Sequence, residues 1–415
     1  MERIEADVLL PGDGDPVRDG VVVLDGDAIS FAGRAAEAPA TPKAPTTRAA
    51  AVMPGLWDCH AHLLGLRTVD LSTLPLHPAA LRAARATADL RAALDAGVTS
   101  VREVGGLGVH LARAVDEGTL TGPRIYAAGA VLSATGGHAD LHSFPVEWVT
   151  EYGERGGELR VCDGPADCAR ATREQLRQNA RIIKVCASGG VLSDVDDPQH
   201  QQFSHDELRA IVETAALSER AVAAHCHGKA GILAALEAGA LTIEHGTYLD
   251  EECCAAMKET GAILVPTRTI VDALLHEPGL PPLPAQKIGV VAERHARSLE
   301  QAYVHGVTVA MGTDIALSSA VPSAHSWGRH GGELPLMVQA GLSPLEAIRA
   351  ATAHGPLTLG PQAPRSGRLE PGHDADVITL DADPTADITV FEDPQHVTGV
   401  WTRGRRVKDG SLLPV

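Results

Sequence analysis

The run Met53-Pro-Gly-Leu-Trp-Asp-Cys-His-Ala-His62 closes an apolar stretch with two histidines one residue apart. Side chains alternate faces along a strand, so His60 and His62 project to the same side. Two imidazoles on one face can hold one metal ion. A chain with 19 histidines in 415 residues yields about one such pair by chance. The pair therefore gains its meaning from other polar residues further along the chain.

Those residues are Lys184 in Arg181-Ile-Ile-Lys-Val-Cys-Ala-Ser-Gly-Gly190, His225 in Ala224-His-Cys-His-Gly228, His245 in Ile243-Glu-His-Gly246, and Asp314 in Met311-Gly-Thr-Asp314. Four imidazoles and a carboxylate suit Zn²⁺ or a similar borderline divalent ion. Lys184 is the odd member, because burying an unpaired ammonium in a hydrophobic strand is costly. Either it pairs with a nearby acid, or CO₂ carboxylates its ε-amine to a carbamate whose two oxygens can bridge two metals. Deprotonating a free lysine at pH 7 costs roughly 4–5 kcal/mol. Burial lowers that cost, and a bound structural Zn²⁺ contributes on the order of 10 kcal/mol.

These residues need elements to position them. Between about 52 and 364, apolar runs at 52–57, 98–104, 124–132, 182–186, 221–225, 241–245, 262–266 and 307–311 alternate with amphipathic stretches such as 79–96. Ser204-His-Asp-Glu207 is a capping box, and Ser343-Pro-Leu-Glu346 adds proline at the first helical position. Eight strands alternating with helices predict an α/β fold, a (β/α)8 TIM barrel. In that architecture chemistry lies at the C-terminal strand ends, where the candidates fall. The long connections 133–166, 192–203, 268–290 and 315–333 read as binding loops.

Both chain ends read as strand and turn, with a hairpin at Asp25-Gly26, a loop or linker over 36–50, and later strands at 376–380 and 397–401. Neither end has a core of its own, so the two are expected to join. The organisation predicted is a small β-sandwich made from residues 1–52 and 365–415, flanking a barrel over 53–364.

Composition narrows the partners. A net charge of -18 opposes nucleic acid and anionic membrane surfaces, and 3% aromatic residues leave no stacking platform for single strands. A small-molecule partner is expected. Seven cysteines without framework spacing suit reduced thiols in the cytoplasm, and there is no export signal or membrane-length apolar run.

The ordered set Pro54–His62, Ile183–Gly190, Ala224–Gly228, Ile243–Asp250 and Gly312–Asp314, with the closing Leu369-Glu-Pro-Gly-His-Asp-Ala-Asp-Val377, resembles the amidohydrolase superfamily. It is most similar to the branch of imidazolonepropionase-like enzymes with Xaa-Pro dipeptidases, Lys/Arg-type carboxypeptidases and ochratoxinase. The resemblance implies two divalent ions, zinc being the leading choice. His60, His62 and Asp314 would hold one ion, His225 and His245 the other, and carboxylated Lys184 would bridge them. A hydroxide shared by the ions would attack an amide carbonyl, and Asp314 would carry its proton to the leaving amine. His138 in Thr135-Gly-Gly-His138 would steady the oxyanion or the substrate, and Tyr248 would bind a substrate carboxylate. His227 reads as structural, Cys226 as a small packing residue, and Arg268 and His330 as loop residues able to meet a carboxylate.

The activity implied is hydrolysis of a dipeptide or N-acyl amino acid, in a family where homo-oligomers are common. The alternatives are ring opening of a cyclic amide of imidazolonepropionase type and a non-catalytic scaffold. The six filled ligand positions argue against the scaffold.

Overall fold

Gly26, at φ 64°, makes the tight turn that the Asp25-Gly26 pair predicts, and strands Val17–Asp25 and Ala28–Arg34 pair antiparallel around it. The computed structural model describes residues 1–193, 195–277, 280 and 282–409. That hairpin forms one edge of a seven-stranded sheet. Its order is Arg405–Asp409, Val397–Thr402, Val377–Leu380, Thr46–Pro54, Glu2–Leu9, Val17–Asp25, Ala28–Arg34. The chain ends therefore join, and one hydrogen-bonded strand order runs through both. The reason is the central strand, Thr46–Pro54, which pairs parallel with Glu2–Leu9 and antiparallel with Val377–Leu380, so one ladder continues through both ends. Period two splits its faces. Val8, Ala51, Met53, Ile378 and Leu380 enter the main core, whereas Leu9, Val52, Val377 and Trp401 build a separate cluster.

The middle of the chain forms two parallel sheets. One has the order Ile315–Leu317, Leu56–Leu66, Val98–Glu103, Arg124–Ala127. The other runs Ile263–Val265, Thr242–His245, Ala221–Cys226, Ile182–Cys186, Val131–Ser133, Leu159–Val161. Backbone hydrogen bonds join them: Arg181 N to Ala127 O at 2.7 Å on one side, and Ala310 N to Leu264 O and Cys59 N to Met311 O on the other.

Several predicted elements have different bounds. The run 124–132 is two strands, broken where Gly129 takes φ 78°. The run 307–311 is no regular strand and holds one bridge, Leu264 to Val309. The stretch 133–166 contains helix Val146–Glu154 and strand Leu159–Val161, and 268–290 contains helix Arg268–Leu275 and the start of Pro282–Val304. The prolines of 278–284 disguise a helical stripe of Ile288, Val291, His295, Leu299 and Ala302.

Both capping boxes form, at Ser204/Glu207 and Ser343/Glu346. Ser204→Ala is expected to cost about 1 kcal/mol, read as a shift in urea midpoint at constant slope. The seven cysteines are free and buried, and no described helix is long and apolar enough to cross a membrane.

Candidate active site

Strand Leu56–Leu66 carries His60 and His62, and the chain after 311 brings Asp314 beside them. Donor atoms of His60, His62 and Asp314 lie within 4.8 Å of one another. A second group, at the ends of strands Ala221–Cys226 and Thr242–His245, gathers His225, His227 and His245 within the same limit. Lys184 Nζ stands 3.3 Å from His60 Nε2. His245 and Asp314 both have positive φ, 70° and 59°, a conformation rare for such residues and common where a side chain is turned into a site.

Hydrogen bonds set which nitrogen each ring offers. His60 Nδ1 donates to Glu244 Oε2 at 2.7 Å and His62 Nδ1 to Gly105 O at 2.8 Å, so both rings turn Nε2 towards Asp314. His225 is reversed, its Nε2 donating to Gly189 O at 3.2 Å. His245 Nδ1 meets Thr267 Oγ1 and His227 Nδ1 meets Thr247 Oγ1, each at 2.7 Å. Metal-binding histidines are held in this way through the nitrogen not used for the metal.

Burial pushes His60 down to about 4, and pushes His225 and His245 well below the ordinary range. Neutral imidazoles are the ligating form. Burial likewise lowers Lys184 towards the neutral amine, the form able to attack CO₂. Burial would raise Asp314, but the surrounding His60, His62 and Lys184 hold it below the usual carboxylate range.

Beneath these residues lies a charged layer that the motifs do not reveal. Arg102 and Glu244 are fully buried. Arg102 Nη2 reaches both Glu244 oxygens at 2.7 and 2.8 Å, Nη1 reaches Thr242 Oγ1, and Nε reaches Cys59 O. Burial opposes the Glu244 charge, but Arg102 and His60 outweigh it and hold the carboxyl at about 2. Asp58 accepts from His60 N, Thr313 N and His330 Nδ1, tying the first strand to the turn that carries Asp314. The signal was present in the sequence as charges at 102 and 244 within apolar strands.

The remaining candidates divide. His138 lines the central cavity and stacks on His225, ring centroids 4.4 Å apart. Tyr248 is half-buried and does not line that cavity; its N donates to His227 O. His227 is also outside the cavity wall, although it belongs to the second ligand group. His330 is fully buried on Asp58, so the expectation of a loop residue meeting a carboxylate fails. Arg268 faces His295 Nδ1 at 3.0 Å and not the cavity. Cys226 is buried in the main core.

The cavity, about 130 Å³, is walled by the ligand residues and by Leu64, Leu71, Leu74, Leu141, Leu159 and Ile270. A more open cleft of about 730 Å³ is lined largely by Ser319–Trp327, with Asp272, Arg329 and Glu392 as its charges. The histidine-lined cavity is the one that gathers the candidate ligands. Rings with one nitrogen anchored, a carboxylate that raises His62 against its burial, and a lysine pushed towards its neutral form are a donor set that fits a pair of borderline divalent ions.

With this fold and site, the chain belongs to the amidohydrolase family, whose model matches residues 51–407. Ochratoxinase of Aspergillus niger is 41% identical over 99% of this chain and 87% of that protein, and its crystal structure superposes with a TM-score of 0.92 at 40% identity, covering 99% and 96% of the two chains. A prolidase complexed with N-methylphosphonate-L-proline gives a TM-score of 0.89 at 34% identity over 98% and 99%. Imidazolonepropionase of Streptomyces coelicolor is 29% identical over 95% and 94%.

Proposed function

We propose that this chain hydrolyses the amide bond of a dipeptide or N-acyl amino acid carrying a neutral, apolar group. The observation that carries the reading is the meeting of His60, His62, Lys184, His225, His245 and Asp314 around one cavity from separate strand ends. On this reading the two parallel sheets close as a (β/α)8 barrel over 53–364. The segments 1–52 and 365–415 form the accompanying sheet domain, residues 410–415 lying outside those described.

His60, His62 and Asp314 would hold one divalent ion and His225 and His245 a second, with Lys184 as a carbamate between them and zinc as the metal. Such ions supply Lewis acidity and lower the pKa of water. The protein's own groups do the rest. Asp314 Oδ1 is the oxygen nearest His62 Nε2 (3.1 Å) and His60 Nε2 (3.5 Å), which leaves Oδ2 to take the proton of the attacking water and return it to the leaving nitrogen. The leucine wall excludes water and receives the apolar group. Glu158, the other carboxylate on the wall, is already neutralised by Arg82 at 2.6 Å and by the Tyr152 hydroxyl, so a basic side chain gains no free partner there. Tyr248 is proposed as the contact for a substrate carboxylate at the rim, and the cytoplasm as the setting.

The test is product analysis after reconstitution with Zn²⁺ and bicarbonate. Two fragments from N-acyl leucine or phenylalanine, with arginine analogues slower, support the reading, and Asp314→Asn is expected to lose about a thousandfold or more in kcat. A single ring-opened product from a cyclic amide moves the assignment to the imidazolonepropionase type. Absence of turnover on every amide overturns it in favour of a scaffold.

A further inference from the structure

We infer that Ser193, Asp196 and Lys287 fix the ring proton of His138 on Nδ1, so that its neutral ring presents Nε2 to the cavity as a hydrogen-bond acceptor. His138 Nδ1 lies 3.0 Å from Ser193 Oγ. The serine hydroxyl has one proton, and its other neighbours, Asp196 Oδ1 and Gly190 O, are acceptors. That proton is committed to them. Ser193 Oγ can then only accept from the ring, and Nδ1 must carry the hydrogen.

The turn that holds Ser193 is pinned from several directions. Asp196 Oδ2 accepts from Gly190 N at 2.8 Å and from Gln202 Nε2 at 3.0 Å, the pattern of a carboxylate. Lys287, on helix Pro282–Val304, donates to Ser193 O at 2.7 Å and Gly190 O at 3.1 Å, with Asp196 Oδ1 at 3.4 Å. Both charged side chains are nearly buried, 4% exposed for Asp196 and 12% for Lys287. The ring itself lies against Gly190, where a Cβ would come within 2.1 Å of it, and stacks on His225. Any side chain at 190 would displace it.

An acceptor at Nε2 suits the N–H of the scissile amide or an O–H of the attacking water. It does not suit a developing oxyanion, which needs a donor. This assignment rests on the amide-hydrolase reading and, of the two roles expected for His138, favours the substrate over the oxyanion. His138 is then a substrate-contacting residue, and Ser193, Asp196 and Lys287 are positioning residues.

Long-range proton–nitrogen NMR on the zinc-reconstituted protein labelled with ¹⁵N-histidine reads the tautomer directly, the His138 signals being identified by their loss in His138→Asn. The expected result is a protonated Nδ1 and an unprotonated Nε2. In Ser193→Ala and Lys287→Met the two shifts converge as the tautomers mix, and Ser193→Thr restores them. Amide turnover by Ser193→Ala is expected to fall on the order of tenfold in kcat with KM little changed, the scale of one lost hydrogen bond. A native His138 protonated on Nε2, or a tautomer indifferent to Ser193→Ala, would overturn the inference. The tautomer is read without turnover, so a protein inert to all amides would overturn the proposed function and leave this assignment standing.

Discussion

Lys184→Ala, purified beside the native protein, is expected to lose most of its metal, falling from about two ions per chain, and to lose on the order of a thousandfold in kcat/KM. The direction comes from the lysine's surroundings. Its amine is buried against His60 Nε2, and burial already favours the uncharged form. An uncharged amine is the nucleophile that CO₂ needs, and the proposed carbamate would place a negative charge beside His60. Alanine removes that anion and leaves two half-sites of neutral rings and one carboxylate. Metal content by mass spectrometry is the primary readout, since it does not depend on knowing the substrate. Added propionate, a carboxylate small enough to stand in for the carbamate, is expected to restore part of the metal and the rate. Native protein that binds no metal after reconstitution with Zn²⁺ and bicarbonate would end the two-ion account.

The second large effect is on stability. Arg102→Met is expected to cost about 3–5 kcal/mol, because it strands the fully buried Glu244 carboxylate without its cation. The double variant Arg102→Met/Glu244→Met should recover part of that loss, since no uncompensated charge is left. Urea unfolding of the two single and one double variants measures the coupling. The pH dependence has a definite sign. Glu244 is held at about 2 in the fold against an ordinary 4.5. Its contribution is therefore fully present above about 4.5 and disappears as the pH falls towards 2. A cost under about 1 kcal/mol in Arg102→Met would mean that Glu244 has another partner for its charge.

What the sequence disclosed, and what it hid, has a physical pattern. His60 and His62 were legible because period two on a strand puts them on one side, His225 and His245 because apolar runs of strand length stop at them, and Asp314 because it follows shortly after such a run. Asp-Gly turns and capping boxes are local chemistry, so the hairpin at Asp25 and the helix starts at Ser204 and Ser343 appear where expected. Pairings between distant segments leave no such local trace. Arg102 meets Glu244, Asp58 meets His330, and Arg268 turns to His295 through contacts that no window along the chain contains. The order of strands in the terminal sheet is hidden for the same reason, since the continuity of one ladder depends on which strand lies in the middle.

That middle strand also sets an order of events. Thr46–Pro54 is the last strand before the segment that carries His60 and His62, and it stays unpaired along one side until Val377–Leu380 arrives to face it, Val377 opposite Pro54. Gly55 N bonds to Asp376 O, and Trp57 N to Ala351 O, so the entry to the histidine strand is clamped by residues near the far end of the chain. The residues that clamp the histidine strand are thus separated from it by most of the described chain. Closing so long a loop is a slow, entropy-limited step, and an open strand edge must wait for it. The histidine strand finds its parallel neighbour, Val98–Glu103, close behind it, but the clamp on its entry needs segments far along the chain, so local pairing alone cannot set the site.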